Sequence, residues 1–415
     1  MEVSSLESTP TEVRTKRKLR ILACPSNHGG CSYYRILMPL KKLEEKFPDE
    51  VEIRWDDNPL AWDKEKQTTT PPDFQYENFK WADIVFTQNI HNFGGVYTIE
   101  ILRQGHQHGC MTHFDTDDLL TDLYKGHRMY DLYKDKNLAE LTKYVYNNVD
   151  LVTVTQAKFA ERIRPYVRGC LAIIKNAIDF DLDCWNNPRI EAPGITRFGW
   201  AGGIHHDVDV KQFRGVPHLV NQKVGKEKVH WGFYGRPMPP IVDGKPDWNE
   251  WQQDVWRGYE KNLALGMNGK KNSNYQIFTA QPPDKYGVFY SNMDVALAFL
   301  EPNEFNDSKS EIKLAEAGRY GVPLVATDVG CYDEHIVNGL NGYLIPKENR
   351  SKDWVRVLSN LAKNPKKVKE MGENLRQYCN TMFDINKLVG GRLYLYKTIL
   401  EHKSQIPTQQ EEVTS

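Results

Sequence analysis

The sequence predicts an α/β protein built from two Rossmann-like domains. Three observations carry that expectation. A chain of 415 residues with 40% hydrophobic content is too long for one core and rich enough for two. Short apolar runs alternate with helix-periodic polar sequence along its length. Two such series each open with a strand followed by paired glycines: KLRILAC before Gly29-Gly30, and FGWA before Gly202-Gly203.

Residues 1–16 are polar and repeat-free and read as a flexible N-terminus. The first domain, 17–190, opens with Lys18 to Cys24, a basic lead-in to a buried strand. The loop PSNHGGCSYYR then leads into a helix from about Tyr33 to Lys46. Further strands are expected at Val51 to Trp55, Asp83 to Thr87, Met111 to Phe114 and Leu151 to Thr155. A helix over Asn137 to Asn147 supplies Leu138, Leu141 and Val145 to the core. Pro188 and Pro193 break regular structure in the linker at 186–194.

The second domain, 191–383, starts with the strand Phe198 to Ala201. Gly202 and Gly203 allow close backbone approach, and Asp207 or Asp209 is placed to cap the next helix. Trp231 to Tyr234 reads as the second strand. The Trp- and Tyr-rich stretch after it reads as an insertion whose aromatics suit core packing more often than ligand stacking. A helix over 384–403 carries Leu388, Leu393, Tyr396 and Leu400 at helical spacing, and residues 404–415 read as a flexible tail.

Composition narrows the function classes. The formal net charge of −1 gives no global field to recruit nucleic acid or membrane. Seven scattered cysteines without a C-x-x-C pair argue against a disulfide framework or a zinc ribbon. No apolar run approaches eighteen residues and the N-terminus lacks a signal-peptide core, so a cytoplasmic protein is expected.

The most informative stretch is Glu304 to Pro346. The run DVALAFLEP suits a buried parallel strand. Asn306, Asp307 and Ser308 offer N-cap side chains for a helix over Ser310 to Arg319. A helix start presents unsatisfied N–H donors and the positive end of the dipole, worth roughly 0.3 to 1 kcal/mol to an adjacent anion. Lys309 and Lys313 share one helical face, and Ser308 and Ser310 add hydroxyls. A diphosphate would meet several donors there.

The residues that follow resemble the retaining GT-B glycosyltransferases of the glycogen-synthase-like, group 1 family. The resemblance rests on Glu316-Ala317, the run Gly321-Val322-Pro323-Leu324-Val325-Ala326-Thr327, then Gly330, Glu334 and the Gly339 to Gly342 turn. It implies the GT-B fold: two Rossmann-like domains facing across a cleft, with the terminal helix crossing back to the first. It further implies that Glu316 binds the nucleotide ribose and that a Gly-rich loop in the first domain, here Gly29-Gly30 with Arg35, faces the cleft. Arg35 and Arg236 are then diphosphate candidates, beside Gly30, Gly202, Gly203, Ser308, Lys309, Ser310 and Lys313 as donor-binding residues. The chain departs from the pattern at Ser308, which stands where the family has its first glutamate, and lacks the usual Arg and Lys pair near the start of the second domain.

In the first domain the densest chemistry lies in GHQHGCMTHFDTDDLL, Gly105 to Leu120, at the carboxyl end of an expected strand. Asp115, Asp117 and His113 are the catalytic candidates, placed to orient an acceptor hydroxyl or take its proton. Asp115-Thr116-Asp117 also has the D-x-D form of a divalent-cation site. His106, His108 and His113 with Cys110 are crowded for one tetrahedral zinc. The structural alternative is an aspartate-capped helix beginning near Leu119. Neither a metal nor another cofactor is called for.

The expected activity is sugar transfer with retention from a nucleotide donor, most often a UDP-sugar in this family, to an acceptor hydroxyl. GGCSYYR and FDTDDLL resemble enzymes of tailed phages as well as bacteria. That places a hydroxylated pyrimidine in DNA beside glycans and lipids as acceptor, in the host cytoplasm for a phage protein. Basic spots at Arg14 to Arg20, Lys270-Lys271 and Lys366 to Lys369 are the segments that would meet a DNA backbone. The competing readings are a nucleotide-sugar epimerase on the same fold, and a noncatalytic sugar or nucleic-acid binding protein.

Overall fold

The computed structural model describes residues 17–63, 70–90, 94–239, 241–243, 245–247, 250–267, 274–348 and 351–405. The expectations for 1–16, for Lys270-Lys271 and for the end of the tail lie outside them. Each half is a six-stranded, wholly parallel sheet. In the first, β1 (Leu19–Cys24), β2 (Val51–Trp55), β3 (Ile84–Gln88), β4 (Met111–Asp115), β5 (Leu151–Val154) and β6 (Cys170–Ile173) run in the order β2-β1-β3-β4-β5-β6. The second sheet holds β7 (Thr196–Ala201), β8 (Val229–Arg236), β11 (Tyr275–Thr279), β12 (Val295–Ala298), β13 (Leu324–Thr327) and β14 (Gly342–Ile345). Its order is β11-β8-β7-β12-β13-β14. Between β8 and β11 lie a small hairpin of β9 (Ile241–Val242) and β10 (Lys245–Pro246) and a helix, Glu250–Leu263.

Both orders reverse direction beside the first strand, at β1/β3 and at β7/β12. Such switch points open a crevice at the carboxyl ends of parallel strands. The strands are short and apolar because both faces are covered by helices. All four residues of β12 and of β13 are buried. Most aromatics of the 229–263 stretch take the packing role: Trp231, Trp256 and Tyr259 are buried in one cluster with Phe198, Trp200 and Trp354. β11, which the sequence barely announces, closes this sheet's edge against β8.

The helix Ile385–Gln405 packs on the first domain. Its Ile385, Val389, Leu393 and Tyr396 lie in one core with Ile21, Ile36, Leu40 and Phe86. Backbone hydrogen bonds between Ile178 and the Phe383–Ile385 segment fix its entry.

The helical segment Gly30–Lys46 begins earlier than Tyr33 and contains a π-turn at Tyr33–Leu37. Pro39 has no N–H to give to the Arg35 carbonyl four residues back. Arg392 of the terminal helix donates to that carbonyl instead, at 3.3 Å. Widened turns of this kind re-aim a side chain. Here the Arg35 guanidinium runs inward to Asp115 at the end of β4, with Nε–Oδ1 at 2.9 Å and Nη2–Oδ2 at 2.7 Å. Its Nη1 reaches the Ile174 carbonyl at 2.6 Å and Asn176 Oδ1 at 3.0 Å.

The pair is completely enclosed, so truncating one partner strands a charge. Arg35→Met is expected to destabilise the first domain by about 3 to 5 kcal/mol. Arg35→Met with Asp115→Leu should recover much of the loss, as read from urea unfolding midpoints.

Candidate functional site

The two switch points face each other, and a cavity of about 590 Å³ lies between them. Gly29, Gly30, Cys31, Tyr34, Asp117 and Asp118 form its first-domain wall. The second-domain wall includes Gly203, His205, Lys309, Ser310, Lys313 and Glu316, with Gln281 and Tyr286 after β11. A Cβ added at Gly30 or Gly203 would meet nothing within 4 Å, so each glycine leaves backbone open to the cavity. Gly202 is used differently. It lies against the Trp200 ring, and its carbonyl fills the space where a Cβ at Gly235, φ +116°, would stand.

The second-domain wall departs from the expected capping. Asn306 and Asp307 belong to a separate turn, Glu304–Asp307, capped by Asn303, whose Oδ1 accepts from the Asn306 N–H at 2.8 Å. Lys309 and Ser310 bridge to the helix Ile312–Arg319, whose N-cap is Glu311, without a side-chain cap. Asp207 and Asp209 do not cap the helix Asp207–Gln212 either. Asp209 accepts from His206 and from the Asn306 amide, tying the glycine loop to the loop after β12.

Glu316 sits at the cavity floor, and both of its oxygens accept a tyrosine hydroxyl. Tyr34 of the first domain donates to Oε1 and Tyr290 to Oε2, each at 2.7 Å. Burial raises its carboxyl above the ordinary range, and neighbouring Lys313 pulls the other way. Lys313 donates to the Ala201 carbonyl at 2.6 Å, at the end of β7, and burial lowers its ammonium. Lys309 reaches across the cleft to Asp118, 3.0 Å, and lies 4.5 Å from the Phe305 ring centroid. Burial disfavours the Lys309 charge, but Asp118 and the wider acidic surround outweigh it and raise the ammonium. Ser310 Oγ accepts from Asn176 at 2.8 Å, another bond between the domains.

Several expected site residues stand elsewhere. Ser308 is buried, with Oγ donating to the Glu304 carbonyl at 2.9 Å and accepting from Arg162 at 3.2 Å; it secures the domain contact and does not line the cavity. Arg35 and Asp115 are consumed by each other beneath the cleft. His113 is fully enclosed and stacked on Phe86 at 3.9 Å. Its Nδ1 pairs with Tyr396 and its Nε2 with Thr153. Burial, with Arg392 and Arg35 nearby, lowers its imidazolium well below the usual range. Arg236 closes β8 outside the cavity lining.

Of the three catalytic candidates, Asp117 faces the cavity. Asn89 donates to it at 2.9 Å and Gln88 at 3.4 Å. Burial and then Asp118 raise its carboxyl. Asp115 and Asp117 therefore have different surroundings: Asp115 is engaged by Arg35 and Thr153, and Asp117 faces the cavity. The His106–Cys110 motif is equally dispersed: Cys110 donates to the Phe79 and Ala82 carbonyls, and His106 pairs with Thr112. No helix starts near Leu119; the next begins at Tyr130.

Tyr34, Asp118, Asn176, Tyr286 and Tyr290 complete the site; Tyr34 and Asp118 lie within GGCSYYR and FDTDDLL but are not themselves singled out by sequence, and the other three have no motif to mark them. Tyr34 and Tyr290 are ordinary helix aromatics in sequence. The domain pairing brings Tyr34, 282 positions away, onto one oxygen of Glu316, and the packing of the second domain brings Tyr290, 26 positions away, onto the other.

Comparison with known proteins places this geometry. Residues 272–378 match the family model described as glycosyl transferases group 1. The O-antigen chain mannosyltransferase C of Escherichia coli is 29% identical over 122 residues, which is 29% of this chain and 32% of that protein. The alignment thus spans about a third of that relative. Among solved structures, the sucrose-phosphate synthase of Thermosynechococcus elongatus superposes with TM-score 0.64 at 14% identity, covering 93% of this chain and all of that one. Anabaena HepE in complex with UDP and glucose superposes with TM-score 0.55 at 12% identity, covering 92% of this chain and all of that one. These distant likenesses speak for the fold. No helix among the described residues is long and apolar enough to cross a membrane. Residues 272–378 are thus similar to group 1 glycosyl transferases, and the whole chain has the two-domain GT-B fold of these solved structures.

Proposed function

We propose that the cleft binds a nucleotide sugar, a UDP-hexose by analogy with the UDP complexes of the structural relatives, and transfers the sugar with retention to an acceptor hydroxyl. The observation that carries this reading is Glu316. It is a buried carboxylate at the floor of a polar cavity, flanked by Lys309, Ser310 and Lys313 at the start of its own helix. Each Glu316 oxygen keeps acceptor capacity beyond the one tyrosine it holds, which suits the two ribose hydroxyls. Lys309, Lys313 and the open backbone at Gly30 and Gly203 provide for the diphosphate, so the proposal uses no divalent cation. Tyr286 and the Gln281 turn lie on the side of β11 where a base would rest.

The departing diphosphate is the base in this proposal. The bond from the anomeric carbon to the phosphate oxygen breaks, the acceptor oxygen bonds to that carbon on the same face, and the acceptor proton passes to the phosphate oxygen. Asp117, held by Asn89 and Gln88, orients the acceptor hydroxyl. The neighbouring Asp118 makes the acceptor wall acidic, which favours a neutral glycan-type hydroxyl over a phosphodiester chain.

Calorimetry with UDP and a UDP-sugar should show Glu316→Gln weakening donor binding by roughly 10- to 100-fold, the loss of a charge-assisted hydrogen bond of about 1.5 to 3 kcal/mol. Unchanged affinity removes Glu316 from the donor site. Because the Glu316 carboxyl is raised, wild-type affinity should hold above that raised pKa and decline as pH falls through it, while Glu316→Gln stays flat over the same window.

Asp117→Asn should lower kcat and leave donor Kd near the wild-type value. A fall in donor binding instead would move Asp117 to the donor side. Mass spectrometry of UDP-sugars incubated with glycan, lipid and hydroxymethylated-pyrimidine DNA acceptors should find a glycan product, with NMR showing the donor's anomeric configuration. A DNA product would overturn the acceptor assignment. Donor conversion without any acceptor would establish an epimerase, and binding without turnover a noncatalytic protein.

A further inference from the structure

A second cluster lies at the start of the helix Ile312–Arg319, and its three residues are not among those that line the cavity. Glu311 immediately precedes the helix Ile312–Arg319, and Cys331 and His335 lie in the loop after β13. One ligand atom from each falls within 4.8 Å of the others, and all three residues are buried, at 0%, 1% and 5% exposure. We propose that Glu311, Cys331 and His335 form a structural zinc-type site that fastens the start of the donor helix to this loop.

The chemistry of the set is specific. Carboxylate oxygen, thiolate sulfur and imidazole nitrogen are the three ligand types zinc takes, at about 2.0 to 2.3 Å, in tetrahedral arrangement. Glu311 Oε2 already lies 3.2 Å from Cys331 Sγ, close to the separation of two ligands on one tetrahedral ion. The independent sign of a ligand is the pair of orphans. Glu311 Oε1 and His335 Nε2 are both buried without a hydrogen-bond partner among the described residues. Buried polar atoms are ordinarily satisfied, and leaving each of these without a partner is costly.

The outer contacts suit an ion as well. His335 Nδ1 pairs with the Tyr378 hydroxyl at 2.6 Å, which orients the ring and leaves Nε2 as the ligand nitrogen. Gly330, at φ +78°, turns the chain just before Cys331, and its N–H donates to Asp307 at 3.3 Å. Because Glu311 follows Lys309 by two residues, an ion here would brace the backbone that carries Lys309 into the cleft. Its place is structural and separate from the diphosphate contacts.

Metal content is read without substrate, so the test stands apart from the glycosyltransferase proposal. Purified full-length protein stripped with chelator and titrated with zinc against a chromophoric competitor should take up one equivalent per chain. Titration with cobalt should give a thiolate-to-metal charge-transfer band with tetrahedral d–d absorption. Cys331→Ser should lose the charge-transfer band and His335→Ala should bind on the order of 100-fold more weakly, with Tyr378→Phe about 10-fold weaker. Cys170→Ser, at an exposed cysteine elsewhere, should keep the band. Absence of a thiolate band in the wild-type protein, or its persistence in Cys331→Ser, would overturn the proposal even if one variant misfolds.

Discussion

The buried pair of Arg35 and Asp115 is the contact on which the first domain and the cleft both depend. Five parts of the chain meet at it: the π-turn after β1, the end of β4, Thr153 of β5, the exit segment Ile174–Asn176, and the terminal helix through Arg392. Neither charge is tolerable alone in that environment, so each holds the other's element in register. The consequence reaches the site. With Arg35 drawn inward, the neighbouring Tyr34 is left to face the second domain and Glu316. Asn176, held on one side by Arg35, uses its amide to hold Ser310 on the other. A charge pair buried beneath the cleft thus positions Tyr34 and Asn176, which reach Glu316 and Ser310 of the second domain.

The domain interface has two unlike sides. At the hinge side, the terminal helix buries Ile385, Val389, Leu393 and Tyr396 in the first domain's core. Fully burying side chains of this size contributes about 1.5 to 3 kcal/mol each. Across the cleft the contacts are mainly polar and part-exposed: Lys309 with Asp118, Arg162 with Asp307, Lys158 with Asp333, Arg128 with Asp207. Pairs of this type contribute roughly 0 to 1 kcal/mol each. Phe305 adds an apolar contact, seated against Tyr124 and His127. The balance ties the domains firmly at one end and weakly at the other, which is the mechanical condition for a cleft that opens to exchange nucleotide.

Sequence legibility followed locality. Strands such as Val51–Trp55 and the helix around Leu138 were readable because apolar spacing reports burial by a neighbouring layer. Lys309, Ser310 and Lys313 stood out because a helix start concentrates its own donors within a few residues, and Glu316 through the family resemblance; the structure brings all four to the cavity wall. His113 and Asp115 misled for the same reason. They end a parallel strand, where sites gather, but β4 lies inside the sheet and its last side chains turn to Arg35 and Tyr396. The π-turn that aims Arg35 inward has no signature beyond Pro39. Tyr34, Asn176 and Asp118 acquire their roles from the pairing of two domains, information that no local spacing holds.

The arrangement around Glu316 links donor recognition to closure. Tyr290 comes from the same domain as Glu316 and stays with it in any relative position of the halves; Tyr34 comes from the opposite one. A carboxylate with both oxygens engaged has been desolvated and oriented before the donor arrives, and that ordering is no longer a cost of binding. The cross-domain bond also makes the carboxylate's surroundings depend on closure. In the closed form it is enclosed by two hydroxyls and the helix beside Lys313. In an open form it would lose Tyr34 and gain water. Under the proposed donor role, ribose binding and domain closure would therefore meet at Oε1, the oxygen that Tyr34 holds, and a donor that uses it would favour the closed form by as much as its affinity differs between the two states.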